Sequence, residues 1–201
     1  MNEERGRMER LWRLYRQGGM VPAITSMFNL QSAQQMAYLR SLMKEQQQAA
    51  VLETPLTQLE VVVFDLETTG FYPDRGDEII SIGAVRVRGT TVQENACFYS
   101  LVQPGREIPE AIVQLTGITN EMVLGAPRLY DALRRFLLFV QRKILVAHAA
   151  GHDKPFLNSA LRRLSRANLT HRVLDTMMIA RKIHPEWQPH DLDSLCARYH
   201  I

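Results

Sequence analysis

The sequence predicts an α/β fold, a mixed β-sheet flanked by helices, with a helical extension ahead of it. Three observations carry this. Runs rich in β-branched and apolar residues, "EVVVFDLE", "DEIISIGAVRVRG" and "NACFYSLVQP", follow one another closely, as in an antiparallel meander. Beyond Pro109, amphipathic stretches alternate with short apolar runs, which places helices over the faces of a sheet. Residues 1–50 instead space their apolar side chains as helices do, with glutamines between them.

Taken in order, residues 1–50 read as two short amphipathic helices broken at Gly18-Gly19. Pro22 suits the first turn of the second, and Ile24, Met27, Phe28, Leu30, Met36, Leu39, Leu42 and Met43 form its stripe. The extension with its linker "LETPLTQLE" covers residues 1–55, and the main domain covers 56–201. "EVVVFDLE" reads as a fully buried strand, "DEIISIGAVRVRG" as a strand closing at Gly89, and "NACFYSLVQP" as a strand ended by Pro104. "PEAIVQLTG" is a short helix opening at Pro109, and "APRLYDALRRFLLFVQ" a longer amphipathic one. "KILVAH" is a fourth strand and "DKPFLNSALRRLS" the helix after it. "RVLDTMMIARKI" passes from strand to helix, and "DLDSLCARYH" is a last helix capped by Asp191 or Asp193.

Composition narrows the class. Hydrophobic residues make up 46% and charged residues 22%, a globular balance. No window approaches the ~18 apolar residues that span a bilayer, and the N-terminal stretch lacks the apolar run of a signal peptide. The two cysteines, Cys97 and Cys196, have no metal-type spacing and suit a reducing, cytoplasmic setting. No P-loop or GxGxxG is present, which argues against a nucleotide-cradling fold. Charge is polarised: residues 51–133 hold five Lys/Arg against twelve Asp/Glu, a net of −7, while residues 134–182 hold eleven against two, a net of +9. Such halves can gather cations and phosphates respectively.

The chemistry concentrates in "VVVFDLETTG". Side chains alternate along a strand, so Asp65 and Glu67 share a face while Leu66 points into the apolar layer. Two carboxylates held side by side repel, and a hard divalent cation, Mg²⁺ or Mn²⁺, is the natural partner. A third acid, Asp153, follows the fourth strand and opens a helix, where capping is the plain alternative. If the three converge, they form a site for two metal ions about 3.5–4 Å apart.

"FDLETTG", "LVQPGREIPEAIVQLTGIT", "LVAHAAGHDKPFLNSALRR" and "VLDTMMIARKIHPEWQPHDLDSLCARYHI" together resemble the DnaQ-like, or DEDD, 3′-to-5′ exonucleases, over about residues 59–201. The family includes the proofreading subunits and domains of bacterial replicative polymerases. The resemblance implies a ribonuclease H-like fold and stepwise hydrolysis of nucleic acid from its 3′ end by two metal ions. It implies Asp65, Glu67 and Asp153 as catalytic metal ligands, and Leu66, Thr68, Thr69, Gly70, Leu115, Ile118, His148 and His152 around the terminal nucleotide. Asp175 is implied as a supporting acid. Two departures stand beside the metals: Ala149 where the family often has Asn, and His152 where it often has an aromatic residue.

The resemblance also implies a third motif, a general-base His and a fourth acid in the pattern His, four residues, Asp. The sequence to Ile201 has no counterpart, since His190 is followed five residues on by Leu195. The sequence is therefore expected to be part of a longer chain, or else a module that binds 3′ ends or docks on a DNA polymerase without full catalysis. The expected substrate is a single-stranded DNA 3′ end, with RNA not distinguished, and no membrane is involved. The basic stretch includes Arg134, Arg135, Arg142, Lys143, Lys154, Arg162, Arg163 and Arg166, several of which are expected to track a phosphate backbone.

Overall fold

The computed structural model describes residues 21–44 and 53–201. The first predicted helix and the Gly18-Gly19 break lie outside them. Residues Val21–Lys44 form one continuous helix, α1, with Pro22 in its first turn. A five-stranded sheet follows, built from β1 (Glu60–Thr68), β2 (Ile79–Arg88), β3 (Thr91–Leu101), β4 (Ile144–Ala147) and β5 (Val173–Asp175) in the spatial order β3-β2-β1-β4-β5. The first three strands pair antiparallel, as the meander pattern predicts, and β4 and β5 join parallel to β1. Helices α2 (Glu110–Thr116), α3 (Asn120–Val123), α4 (Leu129–Val140), α5 (Asp153–Ser165), α6 (Thr176–Ile183) and α7 (Leu192–Tyr199) complete the domain. Among the described residues no helix is long and apolar enough to cross a membrane.

Residues Leu39–Ile201 group as one compact unit. Leu39 and Met43, one turn apart on α1, are buried in its main core. Arg40 Nε donates to the Ser165 carbonyl at 2.6 Å, and Thr170 Oγ1 donates to the Met43 carbonyl at 2.8 Å. The core lies between the sheet and the helices: Phe64 and Phe98 meet Phe136 of α4, each with ring centroids 5.9 Å apart, and Phe156, Leu157 and Leu161 of α5 fill the rest.

β1 is not fully buried, contrary to its apolar reading. Val62, Phe64 and Leu66 face the core, whereas Val63 is 36% exposed and Asp65 and Glu67 follow it on the open face. Apolar side chains on both faces hid an alternation that the acids obey. The pairing also slips after Glu67, which sits opposite Ser81 while Thr68 sits opposite Ile79. This bulge lets Ile79 and Ile82 serve the main core and turns Ile80 into a second, smaller cluster with Ile108, Ile112, Ile118 and Val123.

Candidate active site

β1 outruns its parallel neighbour: the last pairing with β4 is Val63 to Val146, so the backbone around Asp65–Glu67 continues past the end of β4. The turn after β4 brings Asp153 into that gap. Asp153 is the first residue of α5, but its carboxylate is not a cap; the capping position is His152, whose side chain caps nothing. Asp153 is only 2% exposed and lies within electrostatic reach of Asp65 and Glu67. The Leu66 amide lies against the carboxylates of both Asp65 and Asp153 and favours their ionised forms. The three acids therefore gather at one end of the sheet, and Asp153 is not on the far side of the molecule.

Burial and mutual repulsion both act on these acids. Burial, followed by the charge of Asp65, pushes the Asp153 carboxyl up to about 7. Partial burial raises Asp65, against the opposing effects of the Leu66 amide and His152. Glu67 is raised by burial and then by Asp65. Asp153 Oδ1 is buried with no hydrogen-bond partner. An orphaned carboxylate oxygen beside two further carboxylates is a donor set of the kind hard divalent cations take. Among the described residues, however, no three His, Cys, Asp or Glu side chains are drawn tightly enough to enclose an ion.

The exonuclease family model, RNase_T, matches residues 62–201, which include every element of this site. The chain belongs to the exonuclease family. A DNA polymerase III subunit epsilon-like protein of Rhodobacter capsulatus is 39% identical over 167 residues, covering 83% of this chain and 24% of that protein. The DNA polymerase III subunit epsilon of Aquifex aeolicus is 38% identical over 138 residues, covering 69% of this chain and 67% of that one. The DnaQ-like resemblance therefore holds. Among solved structures, exonuclease X in complex with 5′ overhanging duplex DNA superposes with a TM-score of 0.55 at 23% identity, covering 70% of this chain and 74% of its own. That likeness shows the ribonuclease H-like fold. The chain spans about a quarter of the Rhodobacter relative.

Within this exonuclease domain, several residues expected at the nucleotide also make contacts within the scaffold. Leu66 is buried and has only its backbone to offer. Thr68 Oγ1 donates to the Gly70 carbonyl at 2.6 Å, and Thr69 Oγ1 donates to Asp77 Oδ1 at 3.4 Å while accepting from Glu78 N–H at 3.0 Å. Both hydroxyls are committed to the loop after β1. At Gly70 a Cβ would meet the Asp77 carboxylate, which accepts from Tyr72 N–H at 2.9 Å, so any side chain there must displace Asp77. Ile118 is 5% exposed in the second cluster, whereas Leu115, one turn earlier on α2, is 71% exposed.

The turn from β4 to α5 is held from the side. Asp175 caps α6 by accepting from Met177 N–H, and the same oxygen accepts from Ala149 N–H at 3.1 Å. Ala149 has φ +53°, in the left-handed region that Asn adopts more readily than Ala. His148 Nδ1 bonds Thr176 Oγ1 at 2.9 Å, and its Nε2 is buried without a partner. His152 lies between Phe71 and Phe156, with centroids 5.9 and 5.1 Å away. Phe71, 63% exposed directly after "TTG", escaped the sequence reading; an aromatic residue beside a turn glycine was the available signal. His171 and His190 are buried, and their Nε2 atoms bond the carbonyls of Gln141 and His184, while His171 Nδ1 is buried without a partner.

The basic run is partly committed to the protein itself. Arg163 pairs with Glu78 at 2.6 Å, Arg162 bonds Asn168, Lys143 lies 3.6 Å from Glu60, and Arg135 sits over the Phe98 ring. Arg163 is ten residues from Asp153 along α5, about 15 Å at 1.5 Å per residue. Lys154, by contrast, stands exposed beside Asp153.

Proposed function

We propose that this domain removes nucleotides stepwise from the 3′ end of DNA, preferring single-stranded ends, with Mg²⁺ or Mn²⁺. The observation that carries the reading is the gathering of Asp65, Glu67 and Asp153 at the end of β1, with an orphaned oxygen on the most buried of them. Asp65, Glu67 and Asp153 would hold two divalent cations. When bound, these ions stabilise the attacking and leaving oxygens of an in-line displacement at phosphorus.

The domain's own groups position the acids and the substrate. The Leu66 amide keeps Asp65 and Asp153 turned toward one another. Burial and the charge of Asp65 favour the protonated form of Asp153, so a cation held there would compete with that proton. The exposed Phe71 ring and His152 offer faces on which an unpaired terminal base can stack, and Leu115 offers an apolar contact. Lys154 supplies positive charge next to the acids for the phosphate backbone. A role in proofreading or repair, beside a DNA polymerase in the cytoplasm, is supported by the names of the polymerase III relatives.

The test is digestion of a 5′-labelled single-stranded DNA. A ladder shortening from the 3′ end with Mg²⁺ or Mn²⁺, abolished by chelator and by Asp65→Ala with Glu67→Ala, is the expected result. Undiminished cleavage by that double variant refutes the assignment.

A further inference from the structure

The acids of the site come from two separate elements, Asp65 and Glu67 from β1 and Asp153 from α5. Their spacing is only as fixed as the joint between strand and helix. Besides the Leu66 amide at Asp153 and the Phe71–His152 contact, Glu78 bridges the two through charge. Glu78 N–H donates to Thr69 Oγ1 at 3.0 Å, and its carbonyl accepts from Thr69 N–H at 2.8 Å. Thr69 is two residues beyond Glu67. The Glu78 carboxylate turns the other way: Oε1 accepts from Arg163 Nη1 at 2.6 Å, and Oε2 accepts from Gly105 N–H. Arg163 stands on the helix that Asp153 opens. Partial burial works against ionisation of Glu78, but the Gly105 amide and Arg163 outweigh it and hold the carboxyl below the usual range. The strut is therefore charged at neutral pH.

We propose that Glu78 is a positioning residue of the active site: through Arg163 it sets α5 against β1, and so sets the separation of Asp153 from Asp65 and Glu67. This rests on the reading of those three acids as metal ligands. It also assigns Arg163, which charge alone would offer to a nucleic-acid backbone, to an intramolecular role. The neighbouring pair Arg106 and Asp77, 2.7 Å apart, holds the same loop without a contact to α5, and Arg106 adds its charge to those that keep Glu78 ionised.

The experiment is calorimetric Mn²⁺ binding to the full chain without DNA, for wild type, Glu78→Gln, Arg163→Ala, their double variant, Arg106→Ala and Asp65→Ala. Glu78→Gln keeps an acceptor for Gly105 while removing the charge. Because one partner is half-exposed, Glu78→Gln and Arg163→Ala are each expected to weaken Mn²⁺ binding by about five-fold. The double variant is expected to be no weaker than either single one, since one contact is lost in all three. Arg106→Ala, which acts on Glu78 only through its charge, is expected to lower the melting temperature and to weaken Mn²⁺ binding less than Arg163→Ala does. If Asp65→Ala weakens Mn²⁺ while the Glu78 and Arg163 variants bind as wild type, the strut is overturned and the acid site stands. If Asp65→Ala binds Mn²⁺ as wild type does, the acid site itself fails and the strut with it. An Arg163→Ala variant that keeps its Mn²⁺ affinity but shows a flatter salt dependence of DNA binding makes Arg163 a phosphate contact and overturns the proposal.

Discussion

Replacing Asp153 by asparagine should stabilise the metal-free protein, and more so as pH rises. The ordinary aspartate value is 3.8, and in the fold Asp153 is pushed up to about 7, by burial first and by Asp65 second. Between these values the unfolded chain has released the proton while the folded site still holds it. Folding then takes up a proton, so stability falls as pH rises through the window; below it the penalty is absent, and above it complete. The side chain is 2% exposed, so solvent screens little of this. A gap of about three units at 1.36 kcal/mol each gives a penalty of about 4 kcal/mol at pH 8. In a domain of this size that corresponds to about 8–16 °C in melting temperature. Thermal melts of wild type and Asp153→Asn in chelator at pH 4, 6 and 8 should show a gain near zero at pH 4 that grows to its full value at pH 8. Mg²⁺ should raise the wild-type melting temperature and leave the variant's unchanged. A gain independent of pH, or a loss at pH 8, refutes the reasoning.

Other substitutions test the frame around the acids. Ala149→Gly relieves the left-handed strain at φ +53° and should stabilise by about 1 kcal/mol, read as a rise in the denaturation midpoint. Thr69→Val leaves the Glu78 amide without its acceptor and should cost about 1–3 kcal/mol in the same assay. Gly70→Ala drives a methyl into Asp77, and should lower the melting temperature and the nuclease rate together. Asp175→Ala removes the cap of α6 and the acceptor of Ala149 at once, and should cost about 2 kcal/mol and slow cleavage without touching the metal ligands.

The legible part of the molecule was whatever obeys a local rule. Period-two spacing was enough to put Asp65 and Glu67 on one face, and the strands, Gly89 and the Asp191 cap fell where turn and capping chemistry places them. Val61 and Val63 misled for a physical reason: valine suits a strand on either face, so an apolar run on an open face looks buried. The short α3 escaped notice because four residues carry no periodicity. Ile118 and the two threonines match sequence motifs at a nucleotide, yet their side chains serve the second cluster and the β1 loop. Glu78 was out of reach altogether, since its partner Arg163 lies 85 residues away and nothing local marks the pair.

Anomalous scattering from crystals soaked in Mn²⁺ tests the gathering of acids most directly. Two peaks about 3.5–4 Å apart are expected, with carboxylate oxygens of Asp65, Glu67 and Asp153 about 2.1 Å from them. Ordered carboxylates with no manganese between them, or manganese bound only elsewhere on the molecule, would contradict it.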